Sequence, residues 1–480
     1  MKTNLLRRRF LSLLPAAGAS LWFPRCEEKT GQAPVGIPAK VLVLGGGLAG
    51  LTAAYELMKM GIDVKLLEAQ AKVGGRVRTL RQGFDEGQYA ELGAVRIPNI
   101  HNHTLGYAAE LGLDLCEFTP GEPLYYLKGN RFKHVEGAPW PLDLTPAEQA
   151  KGLGAMFDYA GPALGEIGSI ADGTFPTAAA LMKYDPITMT ELFTQAGATE
   201  DWLRLMRADS GTIGDRISAL AALGEFSLLG GWNKTSAIRG GNDQIPAGLA
   251  LKLGDRVLLE RVVKRIEHSS AGVKVYADHK GSSESSEATH LVIAIPFTLL
   301  RKVEIVPEFP ADKMRAIREI GLLNAARAYV QTGTRFWEAE GLGGLNMVKT
   351  DTGVERVWDF SNIQDGPTGM LMAYLQGDNA DAFAALPADR RRGALLGWIE
   401  PIFPEIKAET VAFHEHVWAE DPWAGGGWTA LPPDQFWAFA VSRRVEGRVH
   451  FAGEHTSHEF GWMQGAIESG KRAVAEIAGA

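Results

Sequence analysis

VLVLGGGLAGLTAAYELMKMGIDVKLLEA, residues 41–69, runs from an apolar strand through a glycine turn and a helix to a second apolar strand and then an acid. Residues 41–44 read as a buried strand, 48–60 as a helix and 64–67 as the next strand. Gly45, Gly47 and Gly50 stand between strand and helix at the spacing of a dinucleotide-binding turn. The first glycine permits the tight turn, the second lets backbone approach a pyrophosphate, and the third lets helix pack on strand. The phosphates then sit at the positive end of the helix. Glu68, closing the second strand, is placed to accept hydrogen bonds from an adenosine ribose. Glycines alone occur in any turn; the order of strand, turn, helix, strand and acid is what makes this reading specific.

The 480 residues are 46% hydrophobic with ordinary charge content, enough for substantial cores in two or three domains. A formal net charge of -8 gives no electrostatic reason to expect nucleic acid and directs attention to a small-molecule partner. The two cysteines, Cys26 and Cys116, have neither metal-ligand spacing nor the pattern of a disulfide framework, so neither a metal nor a bridge is expected. Arg7, Arg8, Arg9, Phe10 and Leu11 lead into the moderately apolar LSLLPAAGASLWF, residues 11–23, which resembles a twin-arginine export signal. That run is too short and interrupted for a stable membrane span. The expected destination is the periplasm or the exterior, a cytoplasmic protein with a frayed basic terminus being the alternative.

The rest of the chain divides by composition into a signal over 1–26, a Gly- and Pro-containing linker over 27–39, and the fold from 40 onward. Helix formers dominate 140–234, read as a helical insertion. DRVLLERVVKRIEHSSAGVKVYADHK, residues 255–280, suggests a hairpin closed at 269–272, and THLVIAIP, 289–296, a further strand. The polar GSSESSEA between them, 281–288, reads as a turn or loop. ARAYVQTGTRFW, ERVWDFS and GMLMAYLQG read as strands of a mixed sheet, and the C-terminal segment as a strand, a turn and a closing helix. The expected fold is therefore α/β. It joins a discontinuous Rossmann-like domain (40–100, 235–300 and 445–480) to a mixed-sheet substrate domain (101–139 and 301–444) and the insertion.

Four separated motifs resemble those of the flavin-containing amine oxidase family, most closely its L-amino-acid oxidase branch. They are EAQAKVGGRVRT (68–79), ELGAVRIPNIH (91–101), GMLMAYLQGDNA (369–380) and FAGEHTSHEFGWMQGAIESG (451–470). The resemblance implies FAD in a glutathione reductase-like fold. By the same resemblance Leu48, Ala49, Glu68, Ala69, Gly75 and Arg76 hold the adenosine diphosphate half, with Val262 at the adenine. Gly93, Ala94, Val95 and Arg96 line the isoalloxazine, Glu454 binds the cofactor chain, and Met463, Gln464, Gly465 and Ala466 offer backbone amides to the flavin, beside Gly461 and Trp462. Members with covalent flavin carry a cysteine near the position of Gly427, so here the FAD is expected to be noncovalent.

Arg96 decides the substrate in this reading. A guanidinium in an apolar Ala-Val-x-Ile-Pro setting requires a partner; from spacing alone an acid of the fold is the commoner one, whereas the flanking motif implies a substrate carboxylate held bidentately. Tyr374 would add a hydroxyl to that carboxylate, Gly461 would accept the substrate amine through its carbonyl, and Trp462 would wall the reacting carbon. Arg327 stands where the family often has a lysine that orients a water near flavin N5, which puts the speed of the oxygen reaction in question. His101, His103, His455 and His458 read as solvated or structural. The implied activity is oxidation of an L-amino acid, by hydride transfer to flavin N5, to a 2-oxo acid, ammonia and hydrogen peroxide. Oxygen or another acceptor takes the electrons, and homodimerisation is left open. The alternatives are an amine oxidase or dehydrogenase for substrates without a carboxylate, an amino-acid 2-monooxygenase, and a non-catalytic flavin-binding accessory subunit.

Overall fold

A computed structural model describes residues 40–119, 121–344 and 347–479. The expected export signal, Cys26 and the linker lie outside the described residues. Five parallel strands form the nucleotide-binding sheet, in the order Val257–Leu258, Asp63–Leu67, Lys40–Leu44, His290–Ile293, Val449–Phe451. Strands covered on both faces are near-continuous apolar runs, and Lys40–Leu44 shows why. Successive side chains point to opposite faces, so Leu42 and Leu44 enter one core while Val41 and Val43 enter another. Helices Leu48–Lys59 and Met463–Ala478 pack in the second of these. The sheet thus draws on three distant parts of the sequence.

The hairpin Val262–His268 with Val273–His279 forms as expected, but 281–288 is not a loop. Ser282–Ala288 pairs antiparallel along the whole of Val273–His279 and makes a third strand. Its residues are mostly exposed, so no apolar alternation marks it; backbone pairing with the neighbouring strand, not burial, fixes its conformation.

A seven-stranded mixed sheet follows the order Thr410–Val417, Ala325–Thr332, Gly369–Gln376, Arg356–Asp359, Val348–Thr350, Leu124–Leu127, Asn130–Lys133. One face, with Ala326, Ala328, Val330, Leu371 and Leu375, is covered by helices Asp378–Ala385 and Ala388–Ile399. The other face presents Tyr329, Trp358, Met372 and Tyr374 toward the segment 89–95. On this face register places His416, Arg327, Tyr374, Arg356 and Lys349 side by side across five strands.

Between 146 and 228 the regular elements are helices, joined by turns and a short bridge of Thr188 to Ser218. Thr145 and Thr188 each begin a helix with a reciprocal capping box, to Glu148 and Glu191. Among the described residues no helix is long and apolar enough to cross a membrane, and no group of His, Cys, Asp or Glu is arranged to hold a metal.

Candidate active site

A cavity of about 450 Å3 runs between the two sheets. It is bordered by Gly45, Gly47, Leu48, Ala49, Glu68, Ala69, Gly75, Arg76 and Val262, and by Gly93, Ala94, Arg327, Tyr374, Glu454, Gly461, Trp462, Met463 and Ala466. Most of the sequence-derived residues, spread over more than four hundred positions, therefore meet along one space.

The glycine turn is built for a close ligand. A Cβ on Gly50 would lie 2.0 Å from the Gly45 carbonyl oxygen, so only glycine lets the helix rest on the turn. A Cβ on Gly47 would meet nothing within 4 Å, because that position faces the cavity. Gly47 is also the N-cap of Leu48–Lys59 and supplies no side-chain cap, leaving first-turn N–H groups for an outside acceptor. Trp462 likewise begins Met463–Ala478 without a side-chain cap. Two helix N-termini thus open on the same cavity, which fits a ligand carrying a pyrophosphate at one end and an electron-rich ring at the other. Glu68 accepts the Gly46 N–H at 2.6 Å and the Gln70 N–H at 2.8 Å. Burial pushes its carboxyl above the ordinary value against those two bonds.

Glu454 is the junction of the site. Its Oε1 accepts Arg76 Nη1 at 2.7 Å and Thr429 Oγ1 at 2.9 Å, and its Oε2 accepts the Gly461 N–H at 3.0 Å. Burial alone would raise this carboxyl; Arg76, His455 and the Gly461 N–H hold it below the ordinary value. Arg76 Nη1 also donates to the Gly427 carbonyl at 2.9 Å, so one guanidinium ties the segment 68–79 to both Gly427 and Glu454.

Gly50, Val95, Arg96, Gln464 and Gly465 do not border the main cavity. Val95 is a core residue beside Phe118 and Tyr374. The Gln464 side chain accepts the N–H groups of His103 and Thr104, at the start of helix Asn102–Glu110. A Cβ on Gly465 would lie 2.2 Å from the Glu459 carbonyl oxygen, so its role is close packing.

Arg96 lies deeper. Asn242 Nδ2 donates to the Ala94 and Val95 carbonyls at 2.9 and 2.8 Å, fixing the backbone ahead of it, and Ile97–Pro98 pairs with Thr235–Ile238 behind it. The guanidinium sits among three indoles, 5.0 Å from Trp462, 5.5 Å from Trp232 and 5.6 Å from Trp358. Among the described residues it forms no hydrogen bond and no ion pair. Burial, then the nearby Arg356, push its pKa down to about 10. Half-buried, it remains a cation at neutral pH.

The Tyr374 ring lies between two further guanidinium groups, Arg327 at 4.7 Å and Arg356 at 4.9 Å. Arg327 Nη1 donates to the Glu91 carbonyl at 3.1 Å, and burial raises the Glu91 carboxyl to about 8. His101 and His455 are buried and His458 is half-buried. Burial, and for His101 the nearby Arg96, push them down to about 3, 4 and 4, so all three are neutral in the physiological range.

A match to the family of flavin containing amine oxidoreductases spans residues 48–478. The chain belongs to that family. Its cofactor is FAD. Among curated relatives it is 28% identical over 460 residues to an L-amino-acid oxidase of Gloydius blomhoffii, covering 92% of this chain and 89% of the relative. It is 27% identical over 459 residues to an L-amino-acid oxidase of Vipera ammodytes ammodytes, covering 92% and 93%. Among solved structures, cyclohexylamine oxidase from Brevibacterium oxydans IH-35A superposes with a TM-score of 0.79 at 26% identity, over 92% of this chain and 99% of that one.

Trp232, Trp358 and Trp428 were not singled out in the sequence. Trp428 adjoins Gly427 and lines the cavity opposite Tyr374, 6.3 Å away, so its motif neighbour could have marked it. Trp232 and Trp358 carry no local signal; only the fold brings them to Arg96. Among the described residues no cysteine borders the cavity. The flavin of this family member is accordingly expected to pass entirely into the supernatant when the protein is acid-precipitated; flavin absorbance left in the washed pellet would contradict noncovalent binding.

Proposed function

We propose that this amine oxidoreductase is an L-amino-acid oxidase, converting the substrate to a 2-oxo acid and ammonia with release of hydrogen peroxide. The observation that supports it is the unpaired guanidinium of Arg96. An enclosed cation without an acid partner costs several kcal/mol unless a ligand supplies the anion, and a carboxylate matches its planar fork. The L-amino-acid oxidase relatives, matched over nearly the whole chain, point the same way.

In this reading Arg96 binds the carboxylate, and Tyr374, held between Arg327 and Arg356, donates its hydroxyl to the same group. Trp428 and Trp462 exclude water from the reacting carbon, and the Gly461 carbonyl takes an N–H of the amine. FAD supplies acceptance of the two electrons from the Cα–H bond and their delivery to oxygen. None of the neutral buried histidines is needed as a base. The imine product hydrolyses in water to the 2-oxo acid and ammonia.

Tyr374→Phe removes only the hydroxyl and is expected to lower kcat/KM by about 1.5 kcal/mol, roughly tenfold, as loss of one hydrogen bond to a charged group. Steady-state assay of the FAD-loaded variant checks this.

A second reading, oxidation of an amine without a carboxylate, is favoured by the likeness to cyclohexylamine oxidase; it leaves Arg96 without a partner. A panel of the twenty L-amino acids, scored for peroxide and ammonia, tests the first reading: both products are expected from at least one of them, and neither from any would overturn it.

A further inference from the structure

We propose that Glu225 is a positioning residue for the substrate carboxylate: by holding the indole of Trp462 it fixes the surface against which Arg96 presents its guanidinium. The inference rests on the amino-acid reading above and extends it into the helical segment, where the sequence motifs give no guidance.

Glu225 lies on helix Ala219–Leu228, which is capped by the Ser218 side chain. Its Oε1 accepts the Trp462 Nε1–H at 2.7 Å, across 237 positions of sequence. A bond to a carboxylate is stronger than one between neutral groups, and an indole N–H has a single direction, so this contact selects one ring orientation. Two further rings enforce it. His101 meets Trp462 edge-on at 4.9 Å and 84°, and Trp232 meets it edge-on at 5.6 Å and 87°. Trp232 is itself tied down, its Nε1 donating to Thr235 Oγ1 at 2.9 Å.

Arg96 rests against the assembled pair, 5.0 Å from Trp462 and 5.5 Å from Trp232. A guanidinium over indole faces is attracted by the ring quadrupole, which orients it without consuming the donors a carboxylate needs. An acid in direct contact with Arg96 would have occupied those donors. Burial raises the Glu225 carboxyl above its ordinary value, and the Trp462 N–H and the nearby Arg96 oppose that rise. Glu225 and Arg96 are both half-buried. Glu454 opposes the charge on Glu225, and Glu225 in turn opposes that on Glu459.

The test compares Glu225→Gln, whose amide oxygen can accept the same N–H, with Glu225→Leu, which cannot, in FAD-loaded protein. Benzoate is the probe, titrated through the change it causes in flavin absorbance. The indole N–H resonance of Trp462, assigned with Trp462→Phe, reports the bond without turnover or ligand. Gln is expected to keep parental affinity, and Leu to weaken it roughly tenfold, the effect of one lost hydrogen bond to a charged group, while shifting the indole resonance. Trp462→Phe should abolish the difference between Glu and Leu at 225, since neighbours sharing an interaction are not additive. Benzoate affinity and an indole resonance both indifferent to residue 225 would overturn the inference alone. No benzoate binding by the parent would overturn the inference, while the panel of L-amino acids decides the amino-acid reading separately.

Discussion

Arg96→Leu is expected to lower kcat/KM for an L-amino acid by roughly 30-fold to several thousand-fold, equivalent to about 2–5 kcal/mol, with FAD still bound. The range is that of truncating one partner of a desolvated charge pair, because the substrate carboxylate would enter a site lined by Trp232, Trp358 and Trp462 without the guanidinium that pairs with it. Leucine fills much of the volume, so the indoles need not collapse. Arg96→Lys keeps the charge but loses the bidentate fork and should fall between parent and leucine. Anaerobic stopped-flow reduction measures the effect directly, and a flavin spectrum before mixing shows that the cofactor is in place. Parental rates in the FAD-loaded leucine variant would remove Arg96 from substrate recognition.

Glu454→Ala is expected to destabilise the FAD-loaded protein by about 3–5 kcal/mol, the cost of leaving one side of a buried ion pair uncompensated. The carboxylate is nearly buried, and its loss strands Arg76, the Thr429 hydroxyl and the Gly461 N–H together. Glu454→Gln keeps acceptors for the neutral donors and should cost less. Urea unfolding of the three proteins checks the order. The pH dependence has a definite sign. The folded protein holds the Glu454 carboxyl below its ordinary value, so it binds fewer protons there than when unfolded. The stabilisation is complete at neutral pH and is lost on acidification, from the ordinary carboxylate range down through the lowered value.

The nucleotide half of the fold was legible because its signal is local. Strand, glycine turn, helix and acid follow one another within thirty residues, and each is forced by sterics or burial. The strand Ser282–Ala288 was not legible, because an exposed strand needs no apolar alternation and serine-rich sequence reads as a turn. Arg96 and Tyr374 were found through their motifs, but spacing alone could not say whether Arg96 meets an acid of the fold. That required the three-dimensional surroundings, where indoles occupy the places an acid would take. Glu225 and Trp232 were invisible for a related reason. A lone glutamate on a helix is usually a solvated residue, and only the chain's return some 230 positions later, bringing Trp462 alongside, gives it a task.

The central claim is that recognition of a carboxylate defines the substrate. Anaerobic mixing of the FAD-loaded protein with L-phenylalanine and with phenethylamine, its counterpart without the carboxylate, tests that claim most directly, followed by the same comparison for L-leucine and isopentylamine. The flavin should bleach with the amino acid of at least one pair and far more slowly with its amine. Bleaching by the amines and not by the amino acids would contradict it.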